Sequence, residues 1–274
     1  MSVYLDNPDA ETTEGFNQDN PALLYENIFR EGGVSASSED GFSVALNATD
    51  GLTYDFWRPT ELPASISVEM VASVGVNAAG ITFTSAGGRG VTVEIQKWTG
   101  SAWETVTSQA GVTERVALFL FAEDSSDEWR IRLSGGSGIP SVADVSIGSV
   151  LRFERRIYQG FVPDRFAVRT EYAVNRSRNG QRLGATIVRE GIENSVTIDN
   201  LTGEWVDDNL PPLIRHVRET LPMYFAWRPD KYQDDVVFCW GTADIKPNNS
   251  GPADYRQFSF DYEGIGPDTV DGPQ

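Results

Sequence analysis

The chain has 274 residues, 40% hydrophobic and 11% aromatic, enough apolar material to fill two separate cores. Forty acidic against 22 basic side chains leave a net charge of −18, which disfavours specific nucleic-acid binding, and the single cysteine, Cys239, excludes an internal disulfide and a thiolate metal cage. No apolar run approaches the ~20 residues of a membrane helix, and the opening MSVYLDNPDAETTEGF has no basic or apolar export signal, so the expectation is a protein folded in a cytoplasm without membrane insertion.

Residues 1–19 carry five acids, little apolar content and no period, and read as a flexible arm. From Pro21 onward the pattern becomes that of strands with one buried and one wet face: Ile66, Val68, Met70; Ile81, Phe83; Val91, Val93, Ile95; then Trp129, Ile131, Leu133. Thr99-Gly100-Ser101-Ala102 forms a hairpin turn between Trp98 and Trp103, which can pair across it. Val116–Phe121 is apolar throughout, as for a strand covered on both faces. Strands at this spacing with no helical stretch among them predict a β-sandwich or jelly roll over residues 20–155.

The stretch GVSASSEDGFSVALNATDGLTYDFWRP, with Ala36-Ser37-Ser38, Asn47–Gly51 and Trp57, together with the closing WRIRLSG and VSIGSVLRF, resembles discoidin-type, galactose-binding-like jelly rolls. In that family the loops at one end often bind sugars, although many members are purely structural. The resemblance makes Trp57 and Arg58 candidate glycan contacts, with core packing as the alternative for Trp57. The cysteine pair that closes secreted discoidin domains is missing here, which weakens the carry-over of sugar binding.

After Arg155 the pattern restarts. Phe166, Val168, Thr170, Tyr172 and Val174 alternate, Asn179-Gly180 marks a hairpin turn, and Leu183, Ala185 and Ile187 form the return strand. A third strand, Ser195–Ile198, precedes one amphipathic helix, for which Asp207–Asn209 offer caps, Pro211 and Pro212 a first turn, and Leu213, Ile214, Val217 and Leu221 an apolar face. Strands at Met223–Trp227, Val236–Trp240 and Phe258–Tyr262 follow. The helix LIRHVRETLP, Phe225-Ala226-Trp227-Arg228-Pro229, Val237–Trp240 and the terminal FSFDYEG, in this order, are similar to minor tail proteins of long-tailed phages, the lambda-like tail-tip M family and its distal-tail relatives. The resemblance covers 156–266 and implies a tail-tube-like split β-barrel that assembles into a homohexameric ring. The sandwich is a departure from that short family. Residues 267–274 read as a flexible tail.

Arg155 to Arg189 hold eight arginines and two acids. Arg165, Arg169, Arg176, Arg178, Arg182 and Arg189 are therefore candidate subunit contacts meeting carboxylates of a neighbouring copy, the alternative being a solvated hairpin face.

For chemistry the sequence offers little. His216 has no second histidine and reads as a helix-surface or boundary side chain, Cys239 as a structural thiol, and Ala86–Gly90 as a turn rather than a phosphate loop, since a strand follows it. Glu123, Asp124, Asp127 and Glu128 are expected in a loop before Trp129, as solvated acids or a calcium site; Glu39, Asp40 and Asp50 are further oxygen donors or turn formers.

The expectation is an all-β, non-enzymatic protein without cofactor: a virion component of a phage tail tip, forming a ring around a DNA conduit whose acidic lumen binds no DNA, and contacting tube, hub and tape-measure proteins. The alternative is a receptor-recognition module for host surface glycans, and a carbohydrate-active hydrolase is a third reading. An adhesin unrelated to phage is a fourth.

Overall fold

The structure, a computed structural model, describes residues 1–6, 19–157, 160–250 and 254–265. Apart from one α-helix and short 3-10 turns it is built of strands: β1 (Ser2–Leu5), β2 (Ala22–Leu24), β3 (Gly33–Ala36), β4 (Ala64–Phe83), β5 (Val91–Trp98), β6 (Trp103–Val112), β7 (Val116–Gly135), β8 (Val142–Gly148), β9 (Val150–Arg152), β10 (Val168–Arg176) and β11 (Arg182–Thr202), then α1 (Gly203–Arg218), β12 (Pro222–Ala226), β13 (Val236–Gly241), β14 (Asn248–Asn249) and β15 (Tyr255–Ile265).

The sandwich is made by two long strands folded over each other. The first part of β4 lies between β3 and the last part of β7, which continues to β5 and β6; the second part of β4 pairs with β8 and with the start of β7, whose other edge takes β1 in parallel. The pattern splits each of β4 and β7 into two strands, whereas each runs through with irregular register between Glu69 and Val74 and again near Val76. Glu123, Asp124, Asp127 and Glu128 consequently sit within β7 and not in a loop. The Trp98–Trp103 hairpin forms, the ring centroids lying 5.4 Å apart.

The second sheet runs β10-β11-β15-β13-β12-β2-β9. Two of its strands, β2 and β9, come from within residues 20–155, so the chain, after β1, passes through this sheet at β2, leaves it to build the rest of the sandwich and returns antiparallel beside its own departure, Ala22 opposite Arg152 and Leu24 opposite Val150. Runs of three residues carry no alternation, which is why the sequence shows neither strand. The expected structureless arm also fails at its beginning: Ser2–Leu5 is a strand with Val3 buried. Residues 7–18 and the expected tail 267–274 lie outside the described residues.

Three apolar layers hold these parts together. Ile66, Val68, Phe119, Trp129 and Ile131 fill the sandwich. Phe225, Val237, Cys239 and Phe258 pack with Trp205, Val206, Leu210, Leu213 and Val217 of α1. Between the two sheets, Leu118 and Leu120 of β7 meet Tyr224, Ala226, Val236 and Phe238 of β12 and β13. Alternate residues of one strand thus enter different cores, which explains why VALFLF, PMYFA and VVFC are apolar without alternation. Tyr224 also carries polar contacts across this junction: its hydroxyl donates to Asp144 Oδ2 (3.1 Å) and accepts from Thr82 Oγ1 (3.0 Å). Its ring lies flat against Gly80, where an added Cβ would come within 2.5 Å of it.

The helix starts at Gly203, well before the prolines, because Thr202 accepts from the Trp205 amide as N-cap and Trp205, Val206, Leu210 and Leu213 recur at helical spacing. Pro211 and Pro212 lie inside it. His216 is buried, not on the surface: its Nε2 meets the Pro222 carbonyl at 3.0 Å and its ring meets Tyr25 edge-on. Burial pushes its pKa down to about 4.

Candidate functional site

Two surfaces stand out, one on the sandwich and one on the second sheet. The first is the connection from β3 to β4, residues 37–63, which closes one end of the sandwich. It is folded back on itself by backbone bonds from Asp40 N to Arg58 O (2.9 Å) and from Arg58 N to Ser43 O (3.0 Å). The Asn47 amide nitrogen donates to the Phe42 and Phe56 carbonyls. Glu39 accepts from the Ala45 amide at 3.0 Å, and Asp50 accepts from Leu52 N at 2.8 Å beside Gly51 at φ +85°, so both acids act in turns.

Trp57 is the anchor of this loop rather than its ligand contact. It is fully buried, exchanges backbone bonds with Val142 and donates from its indole to the Ser38 carbonyl, so neither ring face is open to a sugar. Of the two readings of Trp57 the structure has core packing and not glycan contact, and Arg58 alone of the pair is exposed. The loop instead presents Phe42 and Tyr54, 97% and 79% exposed, with Leu46 and Leu52 also exposed. Ser38 Oγ and Asp55 Oδ1 of the same loop are buried without a hydrogen-bond partner. Exposed aromatic rings on a loop held in place from within suit a ligand with an apolar face.

The second surface is the hairpin β10–β11. β11 pairs with β15 only from Ile192 onward, so Arg182–Gly191 and its partner strand project as a two-stranded ribbon, roughly 30 Å at 3.3 Å per residue. Tyr172 stands opposite Ile187 and Val174 opposite Ala185, giving the ribbon an exposed apolar face. Its six arginines divide. Arg165 bonds Asp234 (2.9 Å), Arg169 pairs with Glu193 and Arg189 with Glu263. Arg176 reaches only the Gly180 carbonyl, and among the described residues Arg178 and Arg182 meet no carboxylate. The turn is closed by Gly180 at φ +82°.

The ribbon's root is a buried polar knot. Asp164 Oδ1 accepts from Tyr262 Oη and from Asn194 Nδ2 (2.9 Å), while Asp235 accepts from the Arg165 amide (3.2 Å) and Trp227 Nε1 (2.8 Å). Burial raises both carboxyls, Asp164 to about 7. Of the other groups singled out in the sequence, Asp124 is held by Lys97, the Cys239 thiol is buried and pushed up by burial, and Gly87, Arg89 and Gly90 form a tight turn at positive φ. Among the described residues no group of three or more His, Cys, Asp or Glu is placed to hold a metal ion.

No family model and no curated protein matches the chain. Solved structures do. The family 32 carbohydrate-binding module of Clostridium perfringens NanJ, in complex with galactose, is 22% identical, with a TM-score of 0.41, over 48% of this chain and 99% of that one. A family 32 module of AlyQ in complex with 4,5-unsaturated mannuronic acid is 20% identical, with a TM-score of 0.38, over 45% and 96%. Chitosan-binding module 1 of a Paenibacillus sp. IK-5 chitosanase/glucanase is 19% identical, with a TM-score of 0.39, over 44% and 98%. Similarity at this level concerns fold alone. The chain is a mainly β protein in which a β-sandwich is joined to a second sheet.

Proposed function

We propose that this chain is a non-enzymatic carbohydrate-binding protein, whose sandwich takes a sugar at the loop end bearing Phe42 and Tyr54. The observation that carries this reading is the outward display of those two rings on a loop otherwise fixed by Trp57. Aromatic residues at a sandwich end ordinarily turn inward to bury area, so two left outside within one loop need a partner. The sequence resemblance to galactose-binding-like jelly rolls supplies the ligand class. Calorimetric titration of the full chain with a panel of neutral and uronate oligosaccharides tests it. Saturable binding that Phe42→Ala and Tyr54→Ala each weaken by about tenfold, roughly 1.4 kcal/mol, is expected; the absence of saturation with every glycan removes the reading.

The ribbon favours a second reading, compatible with the first: the chain is a structural subunit of a phage tail tip, joined to neighbouring copies or to tube and hub proteins. Exposed apolar residues on a projecting two-stranded ribbon are an interface signature, and residues 156–266 supply the tail-tip resemblance. In this reading the acidic surface lets DNA pass without sticking. Native mass spectrometry over a range of salt concentrations is the test, and a monomer at every concentration and salt would end it.

A further inference from the structure

The ribbon's tip is chemically unlike the rest of the molecule. From Tyr172 to Arg189 there are four arginines and no acid, in a chain whose net charge is −18. Three of those guanidiniums, on Arg176, Arg178 and Arg182, meet no carboxylate among the described residues, and the same ribbon exposes Tyr172, Val174, Leu183 and Ile187. A second place on the same chain has the complementary character. At the irregular middle of the β4–β7 pair, Glu69 lies opposite Glu128 and Val74 opposite Ser126, so that Val71 bulges into solvent fully exposed. Around it Glu69, Glu123, Asp127 and Glu128 form no ion pair among the described residues. Of the adjacent cations, Lys97 is engaged with Asp124 and Glu104, and Arg130 bonds Gln96 and lies over the Trp103 ring, although its charge is also felt by Glu128.

Resting on the assembly reading above, we propose that the ribbon tip of one copy docks on the sandwich of a second copy, at the acidic bulge around Val71. Arg176, Arg178 and Arg182 then meet Glu69, Glu123, Asp127 and Glu128, and Val71 meets the apolar face of the ribbon. The residues touched on the two copies differ, so each chain offers one ribbon and one acceptor, and the contact repeats head to tail until it closes. Charge selects this partner: residues 1–155 hold 22 acids and 9 bases, and ion pairs across an interface form where opposite potentials face each other. The contact makes the sandwich part of the assembly instead of a passive appendage.

Charge reversal in the full chain tests this. The triple variant Arg176→Glu/Arg178→Glu/Arg182→Glu and the double variant Glu123→Lys/Asp127→Lys are compared with wild type by sedimentation at low and high salt. All these side chains are at the surface, and circular dichroism checks each fold. Each reversal alone is expected to weaken self-association by at least about 100-fold, and mixing the two variants to restore it to within about tenfold of wild type, since the reversed ribbon then meets the reversed acceptor. If the ribbon reversal breaks association while the acceptor reversal leaves it unchanged, docking at the bulge is wrong and assembly through the ribbon stands. If the ribbon reversal has no effect on an assembly that does form, docking through the ribbon is wrong. A monomer under all conditions removes this contact and the assembly reading together.

Discussion

Replacing Gly80 by alanine probes the junction between the two sheets directly. The added Cβ would lie 2.5 to 2.7 Å from three ring atoms of Tyr224, which cannot retreat because the ring is fully buried and its hydroxyl is tied to Thr82 and Asp144. Overpacking of this kind costs about 1–3 kcal/mol, and the lower unfolded-state entropy of alanine returns about 0.5 kcal/mol, leaving a net loss of about 2 kcal/mol. In thermal unfolding that corresponds to a fall in Tm of roughly 4–8 °C. Gly33→Ala, where nothing but a carbonyl at 3.9 Å is near, serves as the control and is expected to shift stability by less than about 0.5 kcal/mol. The decisive measurement is a double-mutant cycle in urea. Tyr224→Ala alone destabilises by about 3–5 kcal/mol, but in that background Gly80→Ala is expected to cost almost nothing, because the ring it meets has gone. An equal cost for Gly80→Ala with and without the Tyr224 ring would refute the argument that the cost arises from this contact.

His216 gives a pH signature. Its folded pKa of about 4 lies below the unfolded value of 6.5, so its neutral form contributes stability above pH 6.5 that is lost as pH falls towards 4, about 3 kcal/mol in all. The stability difference between wild type and His216→Gln should shrink by that amount over this window; a flat difference would show that the ring is not buried neutral. Asp144 acts in the opposite sense, since burial lifts its carboxyl to about 6: its contribution is complete below pH 3.8 and is lost as pH rises through 6, so wild type should lose ground to Asp144→Asn across that range. Cys239 should resist an aromatic disulfide reagent in the native protein and react once urea unfolds the chain; rapid native labelling would contradict its burial.

Strands with one wet face were legible from alternation, as in Val91, Val93 and Ile95 of β5, because burial there depends only on neighbours in sequence. What escaped depends on distant partners. β2 and β9 are strands only because each finds the other, and the length of β4 and β7 follows from their mutual pairing through an irregular stretch. The prolines concealed the helix start, although Thr202, Glu204 and Trp205 carry a capping signal ahead of them. At the candidate sugar site the largest aromatic, Trp57, drew attention and turned out to be the loop's internal anchor. A finer signal was present: Phe42 directly follows Asp40-Gly41 and Tyr54 comes three residues after Gly51 of Asp50-Gly51, so each ring lies close behind a turn former. Of the arginine stretch the sequence showed the charge, while the separation into paired root and unpaired tip required the pairing partners Asp234, Glu193 and Glu263.

The side-by-side placement of β2 and β9 makes the sandwich an exchangeable cassette. Leu24 and Val150 face each other across one rung, so a two-residue turn could join them and leave the path of the remaining sheet unbroken. A scaffold with such a doorway can acquire, lose or trade the inserted strands by recombination at one point while its own connectivity is conserved.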